Sequence, residues 1–274
     1  VIEHYIHGFS TAEQRRLTLM QRILNHAELA QLDLTGVRSL LDVGSGLGQL
    51  ARELARALGP GARVIGVERE ARQRAEAERQ AREAGESTLV EFRDGDATSL
   101  PLTPGERGCF DLAHARFLLE HLRDPAAVVR EMVSAVRPGG RVVLVDDDHE
   151  LLRLWPPCPE MERLWRIYWE SYGDAGTDPL VGRRLCALLL EGGARPVRVA
   201  SVFYGAVRGM ELFDPVADNL VGVIRGAAEG LFAGHRITPG EMQSALTAFG
   251  SWRCHEAATI WYSLPLAEGL RPAS

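Results

Sequence analysis

The chain has 274 residues, 46% hydrophobic and 25% charged, with a formal net charge of −6 and a pI near 5.8. That length suits one full α/β domain, alone or with a lid, and supplies enough apolar material for a sizeable core. The acidic balance argues against DNA or tRNA as substrate, because a polyanion normally requires a basic face.

Cys109, Cys158, Cys186 and Cys254 are far apart and form no CxxC, so neither a disulfide framework nor a zinc site is expected and a reducing cytoplasm fits. No apolar run approaches the 18 or so residues of a membrane span. The opening VIEHYIHGFS lacks a basic-then-apolar leader pattern and does not begin with Met, so a start trimmed of some residues is expected.

Ser10-Thr11-Ala12-Glu13 reads as a capping box, and Leu17, Met20, Leu24 and Ala27 recur at helical spacing after it. From Arg38 the pattern changes. RSLLDVG is a short apolar run ending in glycine, as a buried strand does. Leu47, Leu50, Leu54 and Leu58 then predict a helix that stops at Gly59-Pro60-Gly61. RVIGVE predicts a strand, residues 71–84 a helix, TLVEFRDGD and FDLAHA two further strands. Asp124-Pro125 opens another helix as cap and first residue, ending before Pro138-Gly139-Gly140, and RVVLVDDD is the fifth strand. Such alternation demands a parallel sheet with helices on both faces.

Farther on, LVGRRLCALLLEGG reads as a helix, and PVRVASVFY and ATIWYSLPL as strands that finish the sheet. The expected fold is therefore a doubly wound, seven-stranded Rossmann-like α/β core with an N-terminal and an inserted helical cap. Its divisions are a helical lid over 1–36, a core over 37–150, helical insertions over 151–178 and 209–250, core again over 179–208, and a final core strand with its tail over 251–274.

In open sheets of this kind ligands sit beyond the carboxyl ends of the strands, at the point where strand order reverses. Gly44, Ser45, Gly46 and Gly48 lie there, followed by Gln49. Small residues let the backbone approach a ligand, and the helix N-terminus offers it free N–H groups. Glu68 ends the second strand, where a carboxylate can accept both hydroxyls of a ribose. The loop reads GxGxG with Gln49 at the sixth position, which disfavours a dinucleotide.

LDVGSGLG, VIGVE, RDGDATSLPL, FDLAHARFLLEHLRDP and RPGGRVVLVD, in that order, resemble the class I S-adenosylmethionine (SAM)-dependent methyltransferases, most of all their small-molecule branch. The resemblance covers residues 38–146. It implies SAM as cofactor and S-adenosylhomocysteine as product. It places Gly44, Ser45 and Gly46 on the methionine part, with Gln49 completing the loop. Glu68 falls to the ribose, Arg69 to the adenine edge, Asp96 to the adenine amino group with Ala97 beside it, and Ala115 and Arg116 to the sulfonium side. HYIHGFSTAEQRRL resembles the lid of such enzymes, which makes Tyr5 a candidate cover for the cofactor.

Methyl transfer needs alignment and a dry pocket, and a base only if the acceptor must lose a proton. His149, after the fifth strand, is the first candidate for that base. His114, at the end of the fourth strand, reads either as a second candidate beside the reacting centre or as a buried, hydrogen-bonded residue. His121 reads as structural or pocket-lining, and His7, His26, His235 and His255 lie away from the strand ends. Asp146-Asp147-Asp148 reads as a solvated acidic strand end, with no metal expected. Trp155, Trp165, Tyr168, Trp169 and Tyr172 crowd one segment, and Trp165, Tyr168 and Tyr172 share a helical stripe. They read as lid packing, as walls of an aromatic acceptor pocket, or as both. No [DNS]PP[YFW] block follows the fourth strand, and Cys158 follows the fifth, so neither DNA-amino nor cytosine-5 chemistry is expected.

The reading is thus a cytoplasmic methyltransferase acting on a small hydrophobic or aromatic metabolite, with no nucleic-acid or membrane partner and a homodimer admissible. The rivals are a SAM-binding enzyme of the same fold that catalyses a rearrangement or cyclisation, and a non-catalytic SAM-binding regulator.

Overall fold

The computed structural model describes residues 23–273. Its strands are β1 (Ser39–Val43), β2 (Arg63–Glu68), β3 (Val90–Asp94), β4 (Phe110–Arg116), β5 (Val136–Val145), β6 (Arg153–Trp155), β7 (Arg195–Phe203), β8 (Ala206–Val207), β9 (Thr259–Trp261) and β10 (Ser263–Leu270). The helices that matter here are α1 (Gln49–Leu58), α2 (Ala71–Glu83), α3 (Pro125–Ala135), α4 (Pro159–Glu170) and α5 (Tyr172–Ala175). After them come α6 (Leu185–Glu191), α7 (Phe213–Ala233) and α8 (Pro239–Trp252). None of the described helices is long and apolar enough to cross a membrane.

The chain divides into two compact units. The larger comprises residues 28–148, 180–202 and the stretch from 264 onward. It holds the seven-stranded sheet, in the order β3-β2-β1-β4-β5-β10-β7. β1 pairs in parallel with β2 and β4, and β10 runs antiparallel to β5. Strands covered on both faces must be apolar throughout, and Leu40, Leu41, Ile65, Leu112, Ala113, Val142 and Leu144 are fully buried. Each such Leu, Ile or Val side chain contributes roughly 1.5–3 kcal/mol by leaving water.

Helix boundaries follow local chemistry. Asp124 caps α3 by accepting from the Ala127 N–H at 3.0 Å, with Pro125 as first helical residue. α1 buries Leu50, Ala51, Leu54 and Ala55 and stops at Gly59, whose φ of 78° suits glycine. Strand order reverses between β1 and β4, and the glycine loop leaves β1 there.

The smaller unit contains residues 149–179 and 203–263. It carries α4, α5, α7 and α8 together with a three-stranded sheet in the order β6-β9-β8. ATIWYSLPL is therefore two strands rather than one. Thr259–Trp261 joins the small sheet, whereas Ser263–Leu270 enters the large one. Continuous β propensity across Tyr262 hides the change of sheet. α8 begins with a capping box, Thr238 Oγ1 accepting from the Glu241 N–H while Glu241 Oε2 accepts from the Thr238 N–H.

Gly48 has φ 68°, and a Cβ there would lie 2.3 Å from the Phe92 ring and 2.8 Å from Ala77. Gly85, in the turn after α2, has a similar φ of 70° but open space. Gly48→Ala is expected to lower unfolding free energy by about 2–4 kcal/mol, overpacking added to left-handed strain, against about 1 kcal/mol for Gly85→Ala. Denaturant titration of both variants checks the order, and equal losses would contradict the steric account.

Candidate cofactor and active site

The loop after β1 is shaped by the strand beside it. Gly44 and Ser45 N–H groups both donate to the Val67 carbonyl, at 2.9 and 3.0 Å. Gly44 and Gly46 are in left-handed conformations, with φ 73° and 54°. The Gly46 N–H donates to Glu68 Oε2 at 2.9 Å, and the Glu70 N–H donates to Glu68 Oε1 at 2.8 Å. Burial raises the pKa of Glu68, against the pull of those two donors and of Arg69. Asp96 is exposed, and the hydroxyl and N–H of Thr98 hold its pKa below the ordinary value. Arg69 Nη1 is 3.8 Å from Asp96 Oδ2. The large unit thus assembles Gly44, Ser45, Gly46, Glu68, Arg69 and Asp96 along the carboxyl ends of β1, β2 and β3, and Gln49 opens α1 as a buried residue.

Two observations show that these residues suit an adenosyl cofactor. Ser45 Oγ is buried in the loop with no hydrogen-bond partner among the described residues. A Cβ at Gly44 would meet Leu118 at 3.0 Å, and one at Gly46 would meet Gln73 at 3.2 Å, so the glycines keep the loop surface low. Tyr5 lies outside the described residues.

At the end of β4 alternation separates the expected contacts. Ala113 and Ala115 face the hydrophobic core, whereas His114 and Arg116 face the other way. Ala97 packs against the same core. His114 is fully buried, with Nδ1 2.9 Å from Asp42 Oδ1 and Nε2 2.6 Å from Glu28 Oε1. Arg116 Nη1 donates to Glu28 Oε2 at 2.6 Å. Burial works against the charged ring, but the Glu28 charge and the Asp42 hydrogen bond outweigh it and raise the His114 pKa to about 9. Burial likewise opposes the Glu28 carboxylate, and Arg116 with His114 overcomes it, lowering its pKa to about 2. Both ring nitrogens of His114 are thus engaged by carboxylate oxygens. Glu28 was not among the sequence candidates. It is a single acid in a helical stretch, and only the fold brings it to β4.

The acidic run after β5 is a correction. It is not a solvated strand end: Asp146, Asp147 and Asp148 are all buried. β5 ends at Val145, and Asp146 Oδ2 accepts from the Leu118 and Leu119 N–H groups at 3.1 and 2.7 Å. Burial raises the Asp146 pKa well above the usual carboxylate range. Asp148 takes a two-pronged contact from Arg183, at 2.8 and 2.7 Å. The turn that Asp146 holds includes Phe117, a bulky residue at φ 53°, a conformation costing roughly 1–2 kcal/mol. It sets Leu118 against Gly44. His121, next on the chain, is half-buried with Nε2 3.5 Å from Glu120 Oε1.

In the smaller unit the aromatic segment divides. Trp165, Tyr168 and Tyr172 are buried around the His149 ring, with centroids 5.4, 5.5 and 5.5 Å away. The Trp165 indole N–H donates to the His149 carbonyl at 2.9 Å, and the Tyr168 and Tyr172 hydroxyls are 2.8 Å apart. The Tyr262 hydroxyl lies 3.2 Å from His149 Nδ1, a partner that sequence spacing does not reveal. Trp155 does not join this cluster, being 62% exposed on β6, and Trp169 is only half-buried. His149 is itself buried, not a solvated loop residue.

Residues 41–144 match the family model of a methyltransferase domain. A 37.1 kDa uncharacterized protein of transposon TN4556 from Streptomyces fradiae is 33% identical over 235 residues, covering 82% of this chain and 62% of its own. The demethylmenaquinone methyltransferase of Lactococcus lactis subsp. lactis is 31% identical over 139 residues, 51% of each chain. The chain thus spans less than two thirds of either relative. Among solved structures, the [4+2]-cyclase SpnF superposes with a TM-score of 0.57 at 20% identity, covering 93% of this chain and 82% of that one, a likeness of fold alone. The glycine loop, the strand order and the matched stretch agree, and residues 41–144 carry a methyltransferase domain.

Proposed function

We propose that this protein transfers a methyl group from SAM to O, N or C of a small hydrophobic or aromatic acceptor. The observation that carries the reading is the gathering of the Gly44–Gly46 loop, Glu68 and Asp96 at the strand ends of a methyltransferase domain. Relatives named as methyltransferases at 30% identity or more support transfer over rearrangement or cyclisation.

When bound, SAM supplies an electrophilic methyl carbon on a sulfonium and leaves as S-adenosylhomocysteine. Glu68 accepts the ribose hydroxyls, and Asp96, with Arg69 beside it, takes the adenine amino group. Gly44, Ser45 and Gly46 admit the methionine portion, with the Ser45 hydroxyl as a donor. Where the acceptor is an alcohol or phenol, His149 takes the hydroxyl proton as the oxygen attacks. Tyr262 orients its ring, and Trp165, Tyr168 and Tyr172 surround the ring with aromatic surface. That surface supports an apolar or aromatic acceptor.

Glu68→Ala is expected to weaken SAM and S-adenosylhomocysteine at least tenfold, as about 1.5–3 kcal/mol of charged hydrogen bonding is lost. Calorimetry checks this, and unchanged affinity removes the ribose assignment. Incubating the protein with methyl-labelled SAM and a panel of phenolic and aliphatic acceptors tests the reaction itself. With a hydroxyl acceptor so found, His149→Ala should lower kcat by about 10²–10⁴-fold and leave KM for SAM nearly unchanged. An unaltered kcat would show that no proton passes through His149.

A further inference from the structure

The quartet of Glu28, Asp42, His114 and Arg116 has no place in the transfer step, yet it concentrates ionisable side chains in the large unit's interior. All four side chains are buried: His114 and Glu28 are wholly inaccessible, Asp42 is 3% exposed and Arg116 8%. Placing ions there costs several kcal/mol each unless they are matched and hydrogen-bonded. They are matched. Asp42 and His114 are register partners across β1 and β4, so the ring bridges the two strands at the point where strand order reverses. Arg116, two residues on and on the same face, reaches the second oxygen of the same Glu28 carboxylate.

The geometry also sets the charge of the ring. A neutral imidazole has one N–H and one lone pair, so it can satisfy one carboxylate oxygen and must repel the other. Here both nitrogens face carboxylate oxygens, at 2.9 and 2.6 Å. Arg116 at 2.6 Å keeps Glu28 ionised. The arrangement is satisfied by an imidazolium between two carboxylates, and among the described residues of the quartet two negative charges stand against two positive.

Asp42 lies two residues before Gly44, at the root of the loop. We infer that Glu28 is a positioning residue for the cofactor loop: it holds His114 as a cationic brace between β1 and β4, which fixes Asp42 and thereby the path of the Gly44–Gly48 backbone. The inference rests on that loop being the cofactor site. Glu28 acts only through His114, and it ties a segment outside the matched domain to the loop.

Among the described residues, the charged groups facing the ring are Glu28 from the helical stretch over residues 23–29 and Asp42 from β1, with Arg116 of β4 facing Glu28. A raised pKa in the folded state means that the brace is complete below the ring's ordinary value and is lost as pH rises through about 9.

The test uses the full chain as wild type, Glu28→Gln and Glu28→Asp, with nitrogen-15-labelled histidine. Nuclear magnetic resonance reads the His114 ring, calorimetry reads S-adenosylhomocysteine binding, and circular dichroism reads the fold. In the wild type the ring should stay doubly protonated to pH 9 or so. In folded Glu28→Gln it should titrate at least one pH unit lower and the affinity at pH 7.5 should fall at least tenfold, with partial rescue by Glu28→Asp. Folded Glu28→Gln binding within twofold of wild type would overturn the inference, as would a neutral His114 ring in the wild type at pH 7. If Glu28→Gln does not fold, His114→Gln replaces it: a pH-independent affinity, at least tenfold weakened, supports the brace, and wild-type affinity overturns it. A wild type that binds no S-adenosylhomocysteine, or a Glu68→Ala variant that binds as wild type does, overturns the cofactor-site reading instead.

Discussion

Parallel pairing of β1 with β4 brings the carboxyl ends of two strands side by side while their following helices depart to opposite faces. In open sheets of this kind such a reversal leaves room for a ligand beyond the strand ends, and the glycine loop, His114 and Arg116 lie at those ends. The glycine loop leaves β1 there, His114 and Arg116 end β4 there, and Asp42 and His114 face each other across the pair. Without the pairing, the loop would have neither a wall nor a charged partner.

The carboxylates in this region are structural in three different ways. Glu68 takes two backbone donors and so fixes the loop against β2. Asp146 takes donors from Leu118 and Leu119, stabilising a turn that contains a strained Phe117 and pressing Leu118 on Gly44. Glu28 is bound to two cations. Each is matched by N–H donors or by opposite charge, which makes the loop a preorganised surface instead of one that must be arranged when a ligand arrives.

The smaller unit offers different chemistry. Its interior around His149 is aromatic and hydroxyl-bearing, with Tyr262 on the ring nitrogen and three aromatic rings within 5.5 Å between centroids. Such a shell keeps bulk water from the ring. This unit lies outside the matched domain.

Local chemistry was enough to read the βα repeat, the GxGxG loop, Glu68 at its strand end and the Asp124-Pro125 cap. Each of these depends on neighbours in sequence: apolar runs for strands, left-handed glycines for the loop, an Asp side chain reaching an N–H three residues on. The fate of the acids and histidines was not legible in the same way. Asp146 looks solvated until the turn after β4 is folded against it, and His114 looks like a catalytic candidate until Glu28, 86 residues away, closes on its second nitrogen. The aromatic stripe was readable as a stripe, but that Trp165, Tyr168 and Tyr172 converge on His149 while Trp155 turns to solvent depends on packing. Periodicity records which face of an element is apolar. Whether a charge is solvated or paired is decided by long-range contacts, because only the tertiary fold sets how much water reaches it and which opposite charge lies within hydrogen-bonding distance.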